Sequence, residues 1–235
     1  MLIFEQFYSC FYHKEANYSH SMLRNLLTIS VFTLLSSAVS FAQVSVGIKG
    51  SAQLANQKYS SSGISISGDD IVGFQAGLLV NAPLTDQLSL RPQLLYSTKG
   101  TKLSGSLLGG AGESKTAVNY LELPIQVAYS LEAGNGNVVI GAGPYVAYAL
   151  NGKSSGTFGG QTVSESIDFS ASDAPKRFDY GLYLSAGYEL YSGVGLSFYY
   201  APGLANLTNS ASSADVTVKN TSYGISLSYF FGSGN

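Results

Sequence analysis

From Gln43 to Phe231 the chain alternates apolar with polar or small residues at a period of two, and no stretch repeats its apolar residues at helical spacing. A period of two places successive side chains on opposite faces of an extended strand. Eight segments carry the pattern: Val44 to Leu54, Val72 to Val80, Leu88 to Tyr96, Leu121 to Leu131, Val138 to Leu150, Phe178 to Leu190, Val194 to Tyr200 and Tyr223 to Phe231. In each, one parity is occupied by Leu, Ile, Val, Phe, Tyr and Ala. The other parity differs in kind. In the fifth segment it reads Val139, Gly141, Gly143, Tyr145, Ala147, Ala149, and in the sixth Asp179, Gly181, Tyr183, Ser185, Gly187, Glu189. Such a face is too small and too sparsely polar to clothe a protein in water, but it suits the filling of a narrow lumen.

The connections alternate in length. Long stretches after the first, third, fifth and seventh segments are interleaved with short turns around Thr85-Asp86, Gly134-Asn135 and Ser192-Gly193. That alternation predicts an all-β, eight-stranded antiparallel up-and-down transmembrane β-barrel with long extracellular loops and short periplasmic turns. Within the longest loop, Asn151 to about Lys176, the pair Gly159-Gly160 is a hairpin signal between arms that continue the alternation.

Two closed-barrel readings compete at this point. In a soluble lipocalin-like barrel the apolar face points inward around a ligand, whereas in an outer-membrane barrel it points at lipid. The strand charges favour the second. Lys49, Arg91, Lys99, Glu122, Arg177, Asp179 and Glu189 all fall on the small, polar parity. A Lys or Arg facing lipid at the bilayer midplane costs about 2–4 kcal/mol, which accounts for their exclusion from the apolar parity. Lys49, Arg91, Glu122, Asp179 and Glu189 are expected to form a lumen charge network. The aromatics divide in two: Phe74, Tyr96, Tyr148, Tyr180, Tyr200 and Tyr223 toward an outer rim, Tyr129, Tyr188, Tyr229 and Phe231 toward a periplasmic rim, the expected positions of two girdles. Pro92, Pro124, Pro144 and Pro202 lie inside strands, where each removes a ladder hydrogen bond. Bulges or strand ends are expected there, with a bulge near Pro124 able to shift the parity of Glu122.

Composition narrows the chemistry. Charged residues are 11% of the chain, against about 25% in ordinary soluble domains, and the formal net charge of −2 gives no footprint for nucleic acid. Met22 to Asn25 followed by the apolar run Leu26 to Val39 and Ser40-Phe41-Ala42 has the layout of a cleaved signal peptide over residues 22–42, with residues 1–21 an upstream extension outside the native product. The barrel is then residues 43–231, and 232–235 a C-terminal tail. Cys10, His13, His20, Met1 and Met22 all precede Gln43. The remaining chain has no Cys or His, so disulfides, Cys/His zinc sites and histidine-dependent triads are excluded from it. "VIGAGP" contains a GxG without the third glycine or following helix of a dinucleotide site. Asp69-Asp70 is read as a solvated loop pair rather than a calcium site. No catalytic residue, metal or cofactor is expected.

Several pieces taken in order resemble a known family: "VGIKGSAQLANQ", "GFQAGLLVNAPLTDQLSLRPQLLYSTKG", "NYLELPIQVAYSL", "VVIGAGPYVAYAL", "FDYGLYLSAGYEL" and "SYGISLSYFF". Together they are similar to the small outer-membrane β-barrel domain proteins of the PorT-like type of Gram-negative bacteria. That resemblance implies an integral outer-membrane protein whose strands tolerate prolines at these places. The last strand also resembles the C-terminal signal read by the outer-membrane barrel assembly machinery, with Gly224, Leu227, Tyr229 and Phe231 in the pattern. The function expected is a non-enzymatic barrel of the cell outer membrane with a side-chain-filled lumen, structural or acting in recognition or adhesion through its outer loops. A small-solute pore and a soluble periplasmic lipocalin-like barrel are the alternatives. Expected partners are outer-membrane lipid, the assembly machinery and an unknown extracellular or periplasmic protein.

Overall fold

The computed structural model describes residues 44–61, 63–105, 112–171, 174–209 and 216–232. The signal-peptide, upstream-extension and C-terminal-tail assignments lie outside the described residues, apart from Gly232. The remainder is built from ten strands: β1 (Ser45–Ser61), β2 (Ile64–Ser67), β3 (Ile71–Pro83), β4 (Leu88–Ser104), β5 (Glu113–Ala133), β6 (Gly136–Phe158), β7 (Gln161–Ser166), β8 (Phe178–Leu190), β9 (Val194–Pro202) and β10 (Thr217–Phe230).

Eight of these strands close a ring. Each pairs antiparallel with its neighbour in the order β1, β3, β4, β5, β6, β8, β9, β10. The circle is completed where β10 meets β1, from Gly47 opposite Phe230 to Ser60 opposite Thr217. Closure pairs each of these eight strands on both sides, which is the condition for a sheet to cross a bilayer. The two extra strands extend the wall at the long-loop end: β2 folds back on β1 and β7 on β6. In the second of these hairpins Phe158 pairs with Gln161, and Gly159 and Gly160 have φ of 57° and 82°. Positive φ at both turn residues is the requirement of a two-residue type I′ turn, which is why the Gly-Gly pair stands there. The hairpin of β1 with β2 was not legible beforehand, because "YSSSGISIS" carries too little apolar alternation to register as strand.

β4, β5 and β6 run far past their apolar segments. Gly100–Ser104 of β4 pair with Ala117–Glu113 of β5, so much of the expected third loop is wall. Outward residues such as Ile48, Phe74, Leu94, Ile125, Ile140, Leu184, Phe198 and Leu227 are exposed, while the polar and small parity is buried. The barrel is therefore apolar outside and polar inside. No helix among the described residues is long and apolar enough to cross a membrane; the strands supply the apolar outer wall instead.

The expected bulges at the prolines do not occur. Across β4 and β5, pairing lapses between Pro92–Ile125 and Leu95–Glu122, yet the register is the same on both sides. Pairing of β5 with β6 likewise lapses between Pro124–Tyr145 and Val127–Ala142 without a shift. Proline lacks an N–H, so it deletes a bond, but deletion does not require an inserted residue. Only Pro202 meets the other expectation, since it closes β9. The register shift between β5 and β6 falls instead at Asn119/Tyr120, beyond the prolines. Glu122 accordingly keeps its inward parity.

Candidate functional site: the barrel lumen and its two ends

Lumen chemistry begins with which inward residues share a level. Near the middle, β4 brings Lys99, β5 Glu122 and β8 Asp179 together, all three side chains fully buried. Lys99 Nζ is 2.7 Å from Glu122 Oε2 and 3.6 Å from Asp179 Oδ2. It also lies 4.1 Å from the centroid of the Tyr145 ring, whose face is attractive to a cation. Asp179 Oδ2 accepts hydrogen bonds from Tyr145 Oη at 3.2 Å and Asn220 Nδ2 at 3.0 Å. Gln57 in turn donates to Asn220 Oδ1 at 3.1 Å, carrying the network toward the outer end.

A second cation stands one level lower. Lys49 Nζ donates to Tyr183 Oη at 2.8 Å and Gln93 Oε1 at 3.1 Å. Tyr183 Oη donates to Gln75 Oε1 at 3.2 Å, and Gln75 Nε2 reaches Glu122 Oε1 at 3.5 Å. Tyr183 stacks on Tyr199 with centroids 5.0 Å apart, and Tyr199 Oη donates to Gln53 Oε1. Nearest the short-turn end, Arg91 grips Glu189 with both nitrogens, Nη1 to Oε1 at 2.5 Å and Nη2 to Oε2 at 2.9 Å, while its Nε donates to Asn81 and Ser89. The Phe230 ring lies under the guanidinium, 5.5 Å from centroid to Cζ. This two-point grip suits arginine's planar fork, which binds a carboxylate bidentately.

The five residues expected as one network thus lie in two groups. Arg91 and Glu189 form a gate-like pair by themselves, and Lys49 joins Glu122 and Asp179 only through Tyr183 and Gln75. Lys99, which parity had placed on the lumen face but which was not assigned to the network, is its centre. With Lys99 included, three cations (Lys49, Arg91, Lys99) face three carboxylates (Glu122, Asp179, Glu189), so the lumen charges balance among the described residues. Arg177, also on that parity, does not enter the lumen. It rests half-buried before β8, with its guanidinium 4.9 Å from the Phe169 ring and 5.7 Å from the Tyr148 ring. Of the buried tyrosines, Tyr145 and Tyr183 stand on the parity read as lumen filling, whereas Tyr120 and Tyr199, equally buried, were not named from the sequence although each alternates with an outward neighbour. Room for them comes from glycine. A Cβ on Gly181 would stand 2.7 Å from Tyr145 Cε1 and 2.2 Å from the Pro202 carbonyl oxygen.

The aromatics expected as girdles are on the outer wall, whereas Gly224 is on the inward parity with buried Ser222 and Ser226. Phe74 and Tyr96 pack at 5.8 Å, Tyr148 meets Phe178 edge-on at 5.2 Å, and Tyr200 stands opposite Tyr223; with Tyr180 they lie toward the long-loop end. Tyr129, Tyr188, Tyr229 and Phe231 lie toward the short turns, where Tyr129 Oη donates to Gln87 and Tyr188 Oη to the Ala133 carbonyl. Leu227 and Tyr229 of β10 and Phe231 just beyond it are exposed, and Gly224 stands opposite Gln53 across the seam. Asp70 is engaged at the outer end, where its two oxygens accept from Asn56 and Tyr223, each at 2.6 Å.

The sequence profile of the outer membrane protein beta-barrel domain matches residues 36–209. The chain belongs to that family. Its location is accordingly the outer membrane, with the apolar wall against lipid. No curated protein matches this outer-membrane barrel at a significant level. Similar solved structures include Ail, the attachment invasion locus protein of Yersinia pestis, crystallised with the heparin analogue sucrose octasulfate: 13% identity, 79% of this chain and 99% of that one, TM-score 0.35. Neisserial surface protein A is 16% identical over 80% of this chain and 98% of that one, TM-score 0.42. The outer membrane protein OprG of Pseudomonas aeruginosa is 14% identical over 81% and 96%, TM-score 0.46.

Proposed function

We propose that this protein is a closed, non-enzymatic barrel that makes its biological contacts through the loops and hairpins at its outer end, in recognition or adhesion, and conducts no solute through its lumen. The observation that carries this reading is the filled mid-lumen, where Lys99, Glu122, Asp179, Tyr145, Tyr183 and Tyr199 are all buried. A polar cup of about 540 Å³ opens at the periplasmic end, with Arg91 and Glu189 on its lining. Beyond that pair lies a cavity of about 40 Å³, bordered by Lys49, Gln93 and Gln126, with room for a water molecule. The absence of histidine and cysteine after His20 supports a non-enzymatic role. In this reading the exposed tyrosines and phenylalanines of the two ends are interfacial girdles, and Gly224, Leu227, Tyr229 and Phe231 form the strand presented to the assembly machinery.

Planar-bilayer recording tests the closed lumen: reconstituted protein is expected to give no steady open-channel current, and a sustained large conductance overturns the proposal. Arg91→Leu supplies a second measurement. The substitution strands the Glu189 carboxylate, only about a fifth exposed, and is expected to cost about 1–3 kcal/mol. It shows as a lower temperature for the shift between folded and unfolded gel mobility. Unchanged heat resistance would place Arg91 in bulk water.

A further inference from the structure

The basic residues outside the lumen are not spread over the barrel. Lys58, Lys102, Lys115, Lys153, Lys176, Arg177 and Lys219 all lie toward the outer end, whereas the periplasmic turns carry Asp86 and Glu132 and no cation. Three of these lysines project from the outer wall of adjacent strands. Lys102 of β4 stands directly opposite Lys115 of β5. Lys153 of β6 pairs with Ala117, which puts it diagonally beside Lys115 on the same face. Like charges directly opposite in a sheet repel and destabilise the pair. Glu113 neutralises one of them, with Oε2 2.8 Å from Lys102 Nζ. Among the described residues Lys115 and Lys153 have no carboxylate partner and are exposed. The connecting residues 106–111 contain no charge. At the seam the arrangement recurs, with Lys58 directly opposite Lys219.

Their height on the wall identifies what they face. Along these strands the outward residues are first apolar, at Tyr96, Leu121 and Tyr148. One step up is a hydrogen-bonded polar ladder, Thr98 Oγ1 to Asn119 Oδ1 at 2.8 Å and Asn119 Nδ2 to Asn151 Oδ1 at 2.8 Å. Amides joined across the outer wall mark the end of the hydrocarbon, and the lysines come next. From that ladder, two to four strand residues at about 3.4 Å each, on strands tilted by about 35–45°, raise them roughly 5–11 Å above the end of the hydrocarbon. That is the layer of the lipid headgroups, which flexible lysine stems reach while their charge stays hydrated. The loop tips, where a soluble glycan or protein would dock, lie further out.

We propose that Lys102, Lys115 and Lys153 form a site for the phosphate of an outer-leaflet lipid headgroup, with Lys58 and Lys219 as a second such site at the seam. The phosphate replaces mutual repulsion with shared attraction and ties the tall β4–β5–β6 wall to the leaflet. The inference rests on the outer-membrane location and not on the closed lumen, so a conducting barrel would leave it standing.

The test uses the full chain folded in neutral maltoside micelles, with the unfolding midpoint read by gel mobility. The probes are a diacyl phosphatidate, the diacylglycerol of the same chains, and inorganic phosphate. Phosphatidate is expected to raise the midpoint, and diacylglycerol to leave it unchanged. Inorganic phosphate is expected to need at least about tenfold more for the same rise, because lipid is concentrated in the micelle. The double variant K115Q/K153Q has an opposite signature. Without lipid it is at least as heat-resistant as the parent, since repulsion is relieved, and with phosphatidate it gains little. Equal responses of parent and variant to phosphatidate overturn the site. Equal potency of phosphatidate and inorganic phosphate overturns the lipid source, as does an equal response to diacylglycerol.

Discussion

Replacing Lys99 with leucine is expected to lower the stability of the folded barrel by about 3–5 kcal/mol, the usual cost of leaving a buried charge without its partner. Among the described residues Lys99 is the one cation within salt-bridge distance of both Glu122 and Asp179, and all three side chains are fully buried. Its removal leaves two carboxylates in a low-dielectric interior. Lys49 does not take over, because its ammonium is already engaged by Tyr183 and Gln93 and reaches Glu122 only through Tyr183 and Gln75. Denaturant titration in micelles, followed by gel mobility, checks the value. The triple variant K99L/E122Q/D179N separates charge from packing. It keeps side chains of similar volume and neutralises the pair, so it should recover most of the loss. A loss below about 1 kcal/mol in the single variant would mean that water enters to solvate the carboxylates, and the filled lumen would be wrong.

The second large effect concerns the other face. Ile125 is half-exposed on β5, midway between Tyr129 near the short turns and Leu121 at the level of Tyr96. Arginine at that position, facing hydrocarbon near the midplane, is expected to cost about 2–4 kcal/mol in a bilayer. In water, or in a soluble barrel with a wetted outer wall, the same substitution would cost almost nothing. Comparing I125R in lipid vesicles with a control such as V163R gives the contrast. Val163 is exposed on β7, above the membrane, and should tolerate arginine within about 0.5 kcal/mol. Equal effects at the two sites would contradict the lipid-facing wall.

Much of this architecture was legible in the chain because a transmembrane barrel imposes a local rule. Every strand must show lipid one parity and the lumen the other, so Leu94 and Arg91 declare their faces within four residues of each other. Alternating loop lengths gave the up-and-down order, and Gly159-Gly160 gave a hairpin through the positive φ that both residues adopt. The prolines show where local reading overreached. A missing N–H is a local fact, but whether a strand answers it with a bulge or a gap depends on both neighbours. Here the neighbours keep register, and the one shift between β5 and β6 sits at Asn119/Tyr120, where no sequence signal marks it.

By itself, then, the sequence determined the class of fold, the two faces of each strand and the sign of the environment on either side. Those properties follow from alternation, turn chemistry and the cost of a charge in hydrocarbon, all of which act within a few residues. Partnership was decided only by the tertiary structure. Lys99, Glu122 and Asp179 come from three different strands, and the strand tilt and register of the closed ring set their common height. The same parity admits Arg177 to the list of inward charges, yet its position ahead of β8 leaves it at the rim. Register is a property of pairs of strands rather than of any one of them, which is why parity could name the lumen residues while only closure of the ring could say which of them meet.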